Sequence, residues 1–305
     1  MKPVLFSLLL SCLCLACSKQ EDIPAREVLP DLPWVTPSAE APNTQQVLFP
    51  SPSVGEAVSF HIYLPDEYAE DSTQRFPVLY WLHGGGGGLD GIRPLVQHFR
   101  QAMQSGSVPP FIIVFPNGLP HGMWCDSKDG RQPVERMFID DLLPYVDAHY
   151  RTIAARRGRI VEGFSMGGYG AARFGFKYGE LFGGFSLMGA GPLQLDFSVV
   201  SPGNQALQPR IFKEVYGEDM AYFEAQSPWR LAEQYGPSLP HPTPKRIVVG
   251  TADYVLQNNL NFHELLEGLG IPCQLHVFPG IGHSMPPLLQ ALGEANWGFY
   301  RAVFE

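Results

Sequence analysis

The chain has 305 residues, 45% of them hydrophobic and 17% charged, with a formal net charge of −9. That is enough apolar material for one large buried core or two smaller ones. The acidic balance and the lack of any Lys/Arg run exclude a nucleic-acid partner held by a basic surface, and acidity of this kind reports solubility rather than substrate.

The amino terminus reads MKPVLFSLLLSCLCLACSKQED. Lys2 precedes an apolar run from Val4 to Ala16. The run is shorter than the ~20 residues that a spanning helix needs, and it predicts a signal peptide over residues 1–17. Leu15-Ala16-Cys17-Ser18 resembles a bacterial lipoprotein processing site, with Cys17 as the lipidated residue and the lipid as a membrane anchor. Cys14 stands where that pattern prefers Leu, and ordinary cleavage and release is the alternative. The expected location is exported: anchored and facing the periplasm or cell surface, or secreted. Residues 18–44 are rich in Pro, Ala, Glu and Ser and predict an extended tether. Of the five cysteines, Cys12, Cys14 and Cys17 fall in the leader. Cys125 and Cys273 remain, as one disulfide or as two buried thiols. Neither has the spacing of a zinc site.

From Gln45 onward strands and helices alternate. Val47–Pro50 and Ala57–Leu64 predict an antiparallel hairpin. Pro77–His83 and Phe111–Pro116 are continuous apolar runs, as strands buried on both faces are. Pro94–Met103 has helical spacing, and Pro133–Tyr150 carries Phe138, Leu142, Val146 and Tyr150 on one stripe. Then follow a strand at Gly158–Glu162, a helix at Met166–Tyr178 and strands at Phe182–Met188 and Arg246–Gly250. A helix at Leu256–Leu269, a strand at Gln274–Phe278 and a closing helix at Pro287–Phe304 complete the series. Gly191–Tyr235 is irregular and predicts a small insertion over the site. The alternation implies a mostly parallel sheet with helices on both faces and an antiparallel hairpin at one edge, within one domain over residues 45–305.

Gly163-Phe164-Ser165-Met166-Gly167 is a GxSxG between a strand and a helix, the context of a nucleophile elbow. The helix that follows aims its N-terminus at the site, which favours developing negative charge. A serine hydroxyl needs a base. His283, in Pro279–Met285 after the last strand, is the last histidine, as the α/β-hydrolase order Ser…Asp…His requires. His276, inside a strand, is the nearest rival. Asp253 follows the strand Arg246–Gly250 and falls between Ser165 and His283, whereas Asp196 and Asp219 lie in the irregular region. Asp253 is therefore the expected acid that orients the imidazole. The amide of Met166 is one expected oxyanion donor, and the other comes from the loop His83–Gly88. His83 is read as bracing that loop. No GK[ST] or GxGxxG makes it a phosphate or dinucleotide loop. Gly84, His121 and Trp124 are expected to line the substrate pocket, and Glu135 to cap the helix it begins.

These segments resemble the putative-esterase family of α/β-hydrolases. It includes esterase D (S-formylglutathione hydrolase), feruloyl and acetylxylan esterases, tributyrin esterase and mycolyltransferases. The matching pieces are Tyr80–Gly87, Phe115–Gly118, Asp141–Arg151, Gly163–Arg173, Gly250–Asp253 and Gly280–Ser284, in family order. The resemblance implies the α/β-hydrolase fold, Ser165 as nucleophile, Asp253 as acid, His283 as base, Gly85 and Met166 as oxyanion amides, and no cofactor. It implies a serine carboxylesterase acting on short acyl esters or on acetyl or feruloyl esters of plant polysaccharides. An acyltransferase using the same triad and a non-catalytic surface lipoprotein that binds a glycan or partner are the alternatives.

Overall fold

The expected hairpin forms, in longer strands: Thr44–Ser51 (β1) pairs antiparallel with Glu56–Tyr63 (β2). The apolar runs become Val78–Leu82 (β3), Ile112–Pro116 (β4), Arg159–Phe164 (β5), Gly184–Met188 (β6) and Lys245–Gly250 (β7), buried almost throughout. Gln274–Phe278 (β8) closes the sheet at a more exposed edge. The computed structural model describes residues 32–196 and 207–305. Pro33–Glu305 is one compact unit. The leader, Cys17 and the first part of the expected tether lie outside the described residues.

The strand order is β1-β2-β4-β3-β5-β6-β7-β8. β2 runs antiparallel to β1 and β4, and all pairings from β4 to β8 are parallel. Period-two alternation sends neighbouring side chains to opposite faces. On one face Leu79 and Trp81 of β3 join a core with Leu95 and Phe99 of the helix Leu89–Gln104 and Phe299 and Tyr300 of the helix Glu294–Phe304. On the other, Tyr80 meets Phe138 edge-on at 5.5 Å, and Phe138 stacks on Phe174 of the helix Met166–Lys177 at 4.7 Å. Helices thus cover both faces.

A polar row crosses the first of these faces. Glu162, Ser186 and Arg246 stand side by side on β5, β6 and β7, all fully buried. Arg246 donates to Glu162 Oε1 and to Ser186 Oγ, each at 2.9 Å, and to Asn296 Oδ1 at 2.7 Å. The Tyr300 hydroxyl donates to Glu162 Oε2. A buried charge pair is tolerable only when its remaining donors and acceptors are met, and here the helix Glu294–Phe304 meets much of that need.

The structure revises three expectations and decides between the two states left open for Cys125 and Cys273. Residues 33–43 are docked rather than free, and they turn into β1 at Pro42 and Asn43, the latter at φ 49°. Trp34 is 3% exposed, and its carbonyl accepts from Ser59 N–H and Asn117 Nδ2, each at 2.9 Å. Thr36 N–H donates to Ser59 Oγ at 2.8 Å, and Ala39 N–H donates to His61 Nε2 at 3.1 Å. The β2–β4 register begins at Phe60↔Pro116, so Trp34 occupies the edge of β2 just beyond the end of β4. The closing helix is two, Met285–Leu292 and Glu294–Phe304, broken at Gly293 with φ 51°. The insertion contains the helices Leu207–Glu214, Met220–Gln226 and Pro228–Tyr235. Cys125 and Cys273 are free thiols. Among the described residues no helix is long and apolar enough to cross a membrane.

Candidate active site

β5 ends at Phe164 and the next helix begins at Met166, so Ser165 carries the turn alone, at φ 58° and ψ −120°. A side chain resists that conformation, and such strain persists only where neighbours fix it. Ser165 N–H donates to the Met188 carbonyl at 2.9 Å, and the Ser165 carbonyl accepts from Tyr169 N–H at 3.0 Å. The flanking glycines are required by contact. A Cβ on Gly167 would stand 2.0 Å from the Leu82 carbonyl oxygen, and one on Gly163 2.6 Å from the same atom. The turn is therefore pressed against the end of β3, and the serine side chain points away from that contact into the site.

Three strand ends converge there. Ser165 follows β5, Asp253 follows β7 and His283 follows β8. His283 Nε2 lies 2.9 Å from Ser165 Oγ, and Nδ1 lies 3.0 Å from both oxygens of Asp253. A carboxylate only accepts, so Nδ1 carries the imidazole hydrogen and Nε2 is left to accept from the serine hydroxyl. The Asp253 side chain is fully buried and also accepts from Val255 N–H at 3.1 Å. Two backbone bonds tie the loops that carry acid and imidazole: Ala252 N–H to the Ile281 carbonyl at 3.0 Å, and Thr251 N–H to the Phe278 carbonyl at 2.8 Å. The rivals stand elsewhere. Asp219 caps the helix Met220–Gln226 by accepting from Ala221 and Tyr222 N–H, and His276 sits within β8 opposite Val248.

The glycine loop lies against the serine. A Cβ on Gly84 would be 3.4 Å from Ser165 Cβ, and one on Gly85 would be 3.9 Å from His121 Nδ1. Gly86 and Gly87 adopt φ of 87° and 94°, which other residues avoid. His83 braces the loop from beneath: Gly118 N–H donates to Nε2 at 3.0 Å, and Nδ1 donates to the Gly84 carbonyl at 2.8 Å. Burial lowers the His83 pKa to about 4, against the opposing pull of the Gly84 bond. Met166 opens the helix Met166–Lys177, with its amide at the positive end of the helix dipole.

Two expectations for the pocket change. Trp124 is fully buried and walls nothing. Its ring fills a slot opened by two glycines: a Cβ on Gly118 or Gly170 would come within 2.6 Å of the indole. Its Nε1 donates to the His83 carbonyl at 3.1 Å, and Arg173 donates to the Trp124 carbonyl. Glu135 is a buried anion rather than a helix cap. Burial alone would raise its pKa, but Arg173, Lys177 and Tyr178 outweigh that and hold it at about 2. His121 stays at the mouth, half-buried beside Gly85, its pKa lowered by burial first and by Arg210 second. A cavity of about 310 Å³ opens beside Gly86–Gly88, with Trp81, Ile92 and Phe115 on one side and Val35 and Pro37 of the docked segment on another.

Sequence reasoning missed three residues. Phe164 and Tyr254 flank the His283 ring, each with its centroid 4.6 Å away. Gly189, at φ 46°, leaves room that a Cβ would fill 3.0 Å from Asp253 Oδ2 and 3.5 Å from His283 Cε1. Each neighbours a motif residue in the chain or the sheet, and composition carries no signal for any of them.

With this geometry in hand, comparison with known proteins places the chain. A family model described as "Putative esterase" matches residues 51–286. The chain belongs to that family. Among the esterase-family relatives, an esterase of Mycobacterium tuberculosis (strain H37Rv) is 32% identical over 271 residues, covering 78% of this chain and 55% of that protein. An endo-1,4-β-xylanase/feruloyl esterase of Xylanibacter ruminicola is 29% identical over 203 residues, covering 60% of this chain and 28% of that one. The chain therefore spans about half the length, or less, of these curated relatives. A solved ferulic acid esterase superposes with a TM-score of 0.71 at 22% identity, over 86% of this chain and 98% of the other. An S-formylglutathione hydrolase of Agrobacterium tumefaciens gives 0.68 at 18%, over 88% and 99%. These likenesses show the fold, which is that of the α/β-hydrolases.

Proposed function

We propose that this chain is a serine carboxylesterase. The observation that carries the reading is the unbroken hydrogen-bond series Ser165 Oγ, His283 Nε2, His283 Nδ1, Asp253, assembled at three strand ends. Ser165 Oγ attacks the ester carbonyl while Nε2 takes its proton, and Asp253 stabilises the imidazolium. The carbonyl oxygen becomes an oxyanion held by the amides of Gly85 and Met166. The imidazolium then protonates the departing alcohol, leaving an acyl-serine. Water attacks the acyl-serine with His283 again as base, and the acid and free serine are regenerated.

The substrates proposed are small acyl esters, or acetyl or feruloyl esters of plant polysaccharides, reached outside the cytoplasm. The feruloyl esterase named among the relatives and the apolar leader before Cys17 support that choice. Hydrolysis of 4-nitrophenyl acetate by wild type and by Ser165→Ala tests the assignment. Loss of the nucleophile lowers kcat by about 10⁴-fold or more. A variant that keeps wild-type turnover overturns it.

A further inference from the structure

We propose that Phe164 and Tyr254 are positioning residues that clamp the His283 ring and stabilise its protonated form during turnover. The inference rests on the assignment of His283 as the base, and goes beyond it. The two aromatic rings lie 4.6 Å from the imidazole centroid, tilted by 38° and 48°, about midway between stacked and perpendicular. A cation within ~6 Å of an aromatic centroid is attracted by the negative face of the ring. The chain delivers both rings with the machinery itself: Phe164 precedes the serine and Tyr254 follows the aspartate. Gly189 completes the seat, since a Cβ there would come 3.0 Å from the Phe164 ring as well as from Asp253.

The groups placed around the imidazole are Asp253 at Nδ1, the Ser165 hydroxyl at Nε2 and the Phe164 and Tyr254 rings, while Gly189 leaves open the space near Cε1 that a Cβ would fill. Asp253 is the charged member of that set. It holds one edge of the ring, and the aromatic clamp adds a second, separable contribution to the imidazolium. Tyr254 is 37% exposed at the mouth of the site. A bound ester dries that face, and the attraction strengthens when water is excluded.

Tyr254 is the residue to change, because its exposure spares the core. Two readouts are taken on wild type, Tyr254→Leu and Tyr254→Phe. The first is the NMR titration of the His283 imidazole, identified by the signal missing in His283→Gln, which needs no turnover. The second is the pH profile of kcat/KM with 4-nitrophenyl acetate. In Tyr254→Leu the imidazole titrates about half a pH unit lower and the plateau kcat/KM falls about two- to fivefold. Tyr254→Phe restores both. An unshifted titration in Tyr254→Leu overturns the clamp, whether or not the plateau falls, as does a Tyr254→Phe that behaves like Leu. A shifted titration in a protein that hydrolyses no ester leaves the clamp standing and overturns the esterase assignment instead.

Discussion

His83→Gln isolates the thermodynamic cost of keeping a neutral imidazole beneath the glycine loop. In the native protein His83 titrates at about 4, lowered from its ordinary 6.5 by burial. A depressed pKa means that between 6.5 and 4 the unfolded chain binds a proton the folded chain refuses. The stability this group confers is therefore present above pH 6.5 and lost as the pH falls toward 4. Integrated over those two values, the loss between pH 7 and pH 5 is about 2 kcal/mol. Glutamine offers an oxygen to Gly118 N–H but does not titrate. Urea unfolding at pH 7, 6 and 5 is the assay. His83→Gln is less stable than wild type at pH 7, but its stability falls by about 2 kcal/mol less between pH 7 and pH 5. His61, His98, His121 and His276 are also lowered by burial and are present in both proteins, so the difference reports chiefly on His83. Equal pH dependence in the two proteins refutes the reasoning.

Other perturbations test the frame around the site. Trp124→Ala empties a fully buried slot and costs about 3–5 kcal/mol of stability. Because the indole braces His83 and does not touch substrate, kcat/KM for acetyl and for longer acyl esters falls by one common factor; a changed ratio would mean that it walls the pocket after all. Arg246→Met leaves Glu162 charged and without its principal partner in the core, at a cost of about 3–5 kcal/mol in chemical unfolding. Adding Glu162→Gln to that variant recovers part of the loss, since the uncompensated charge is then gone.

Much of this arrangement is legible in the sequence, because it depends on local chemistry. Strands buried on both faces read as apolar runs, and the residues that meet at the sheet edge each follow such a run. Ser165, Asp253 and His283 can be placed in this way without knowing the strand order. What escapes is whatever depends on contacts between distant segments. Trp124 reads as a loop aromatic because nothing nearby reveals that Gly118 and Gly170 open a slot for it. Prolines suggest an extended tether through residues 33–43, but a stretch rich in proline also fits against the edge of a sheet, and the lone Trp34 is the sign that it docks. Glu135 looks like a helix-capping acid until Arg173 and Lys177, a helix away, are seen to enclose it. The break at Gly293 hides inside a helical pattern because one glycine in an apolar stripe does not announce its φ.

The polar row across β5, β6 and β7 ties the turn at Ser165 to the order in which the chain is made. Glu162 lies three residues before Ser165, yet the hydroxyl that completes its hydrogen bonding belongs to Tyr300, synthesised 138 residues later. Until the helix Glu294–Phe304 arrives, β5 holds a carboxylate whose partners are incomplete, and the strand that presents the serine lacks its final support. Domains that fold from their first residues onward can mature during synthesis. Here the support of the Ser165 turn draws on β6, β7 and the helix Glu294–Phe304 together, so a chain cut short before Tyr300 leaves Glu162 without one of its buried partners.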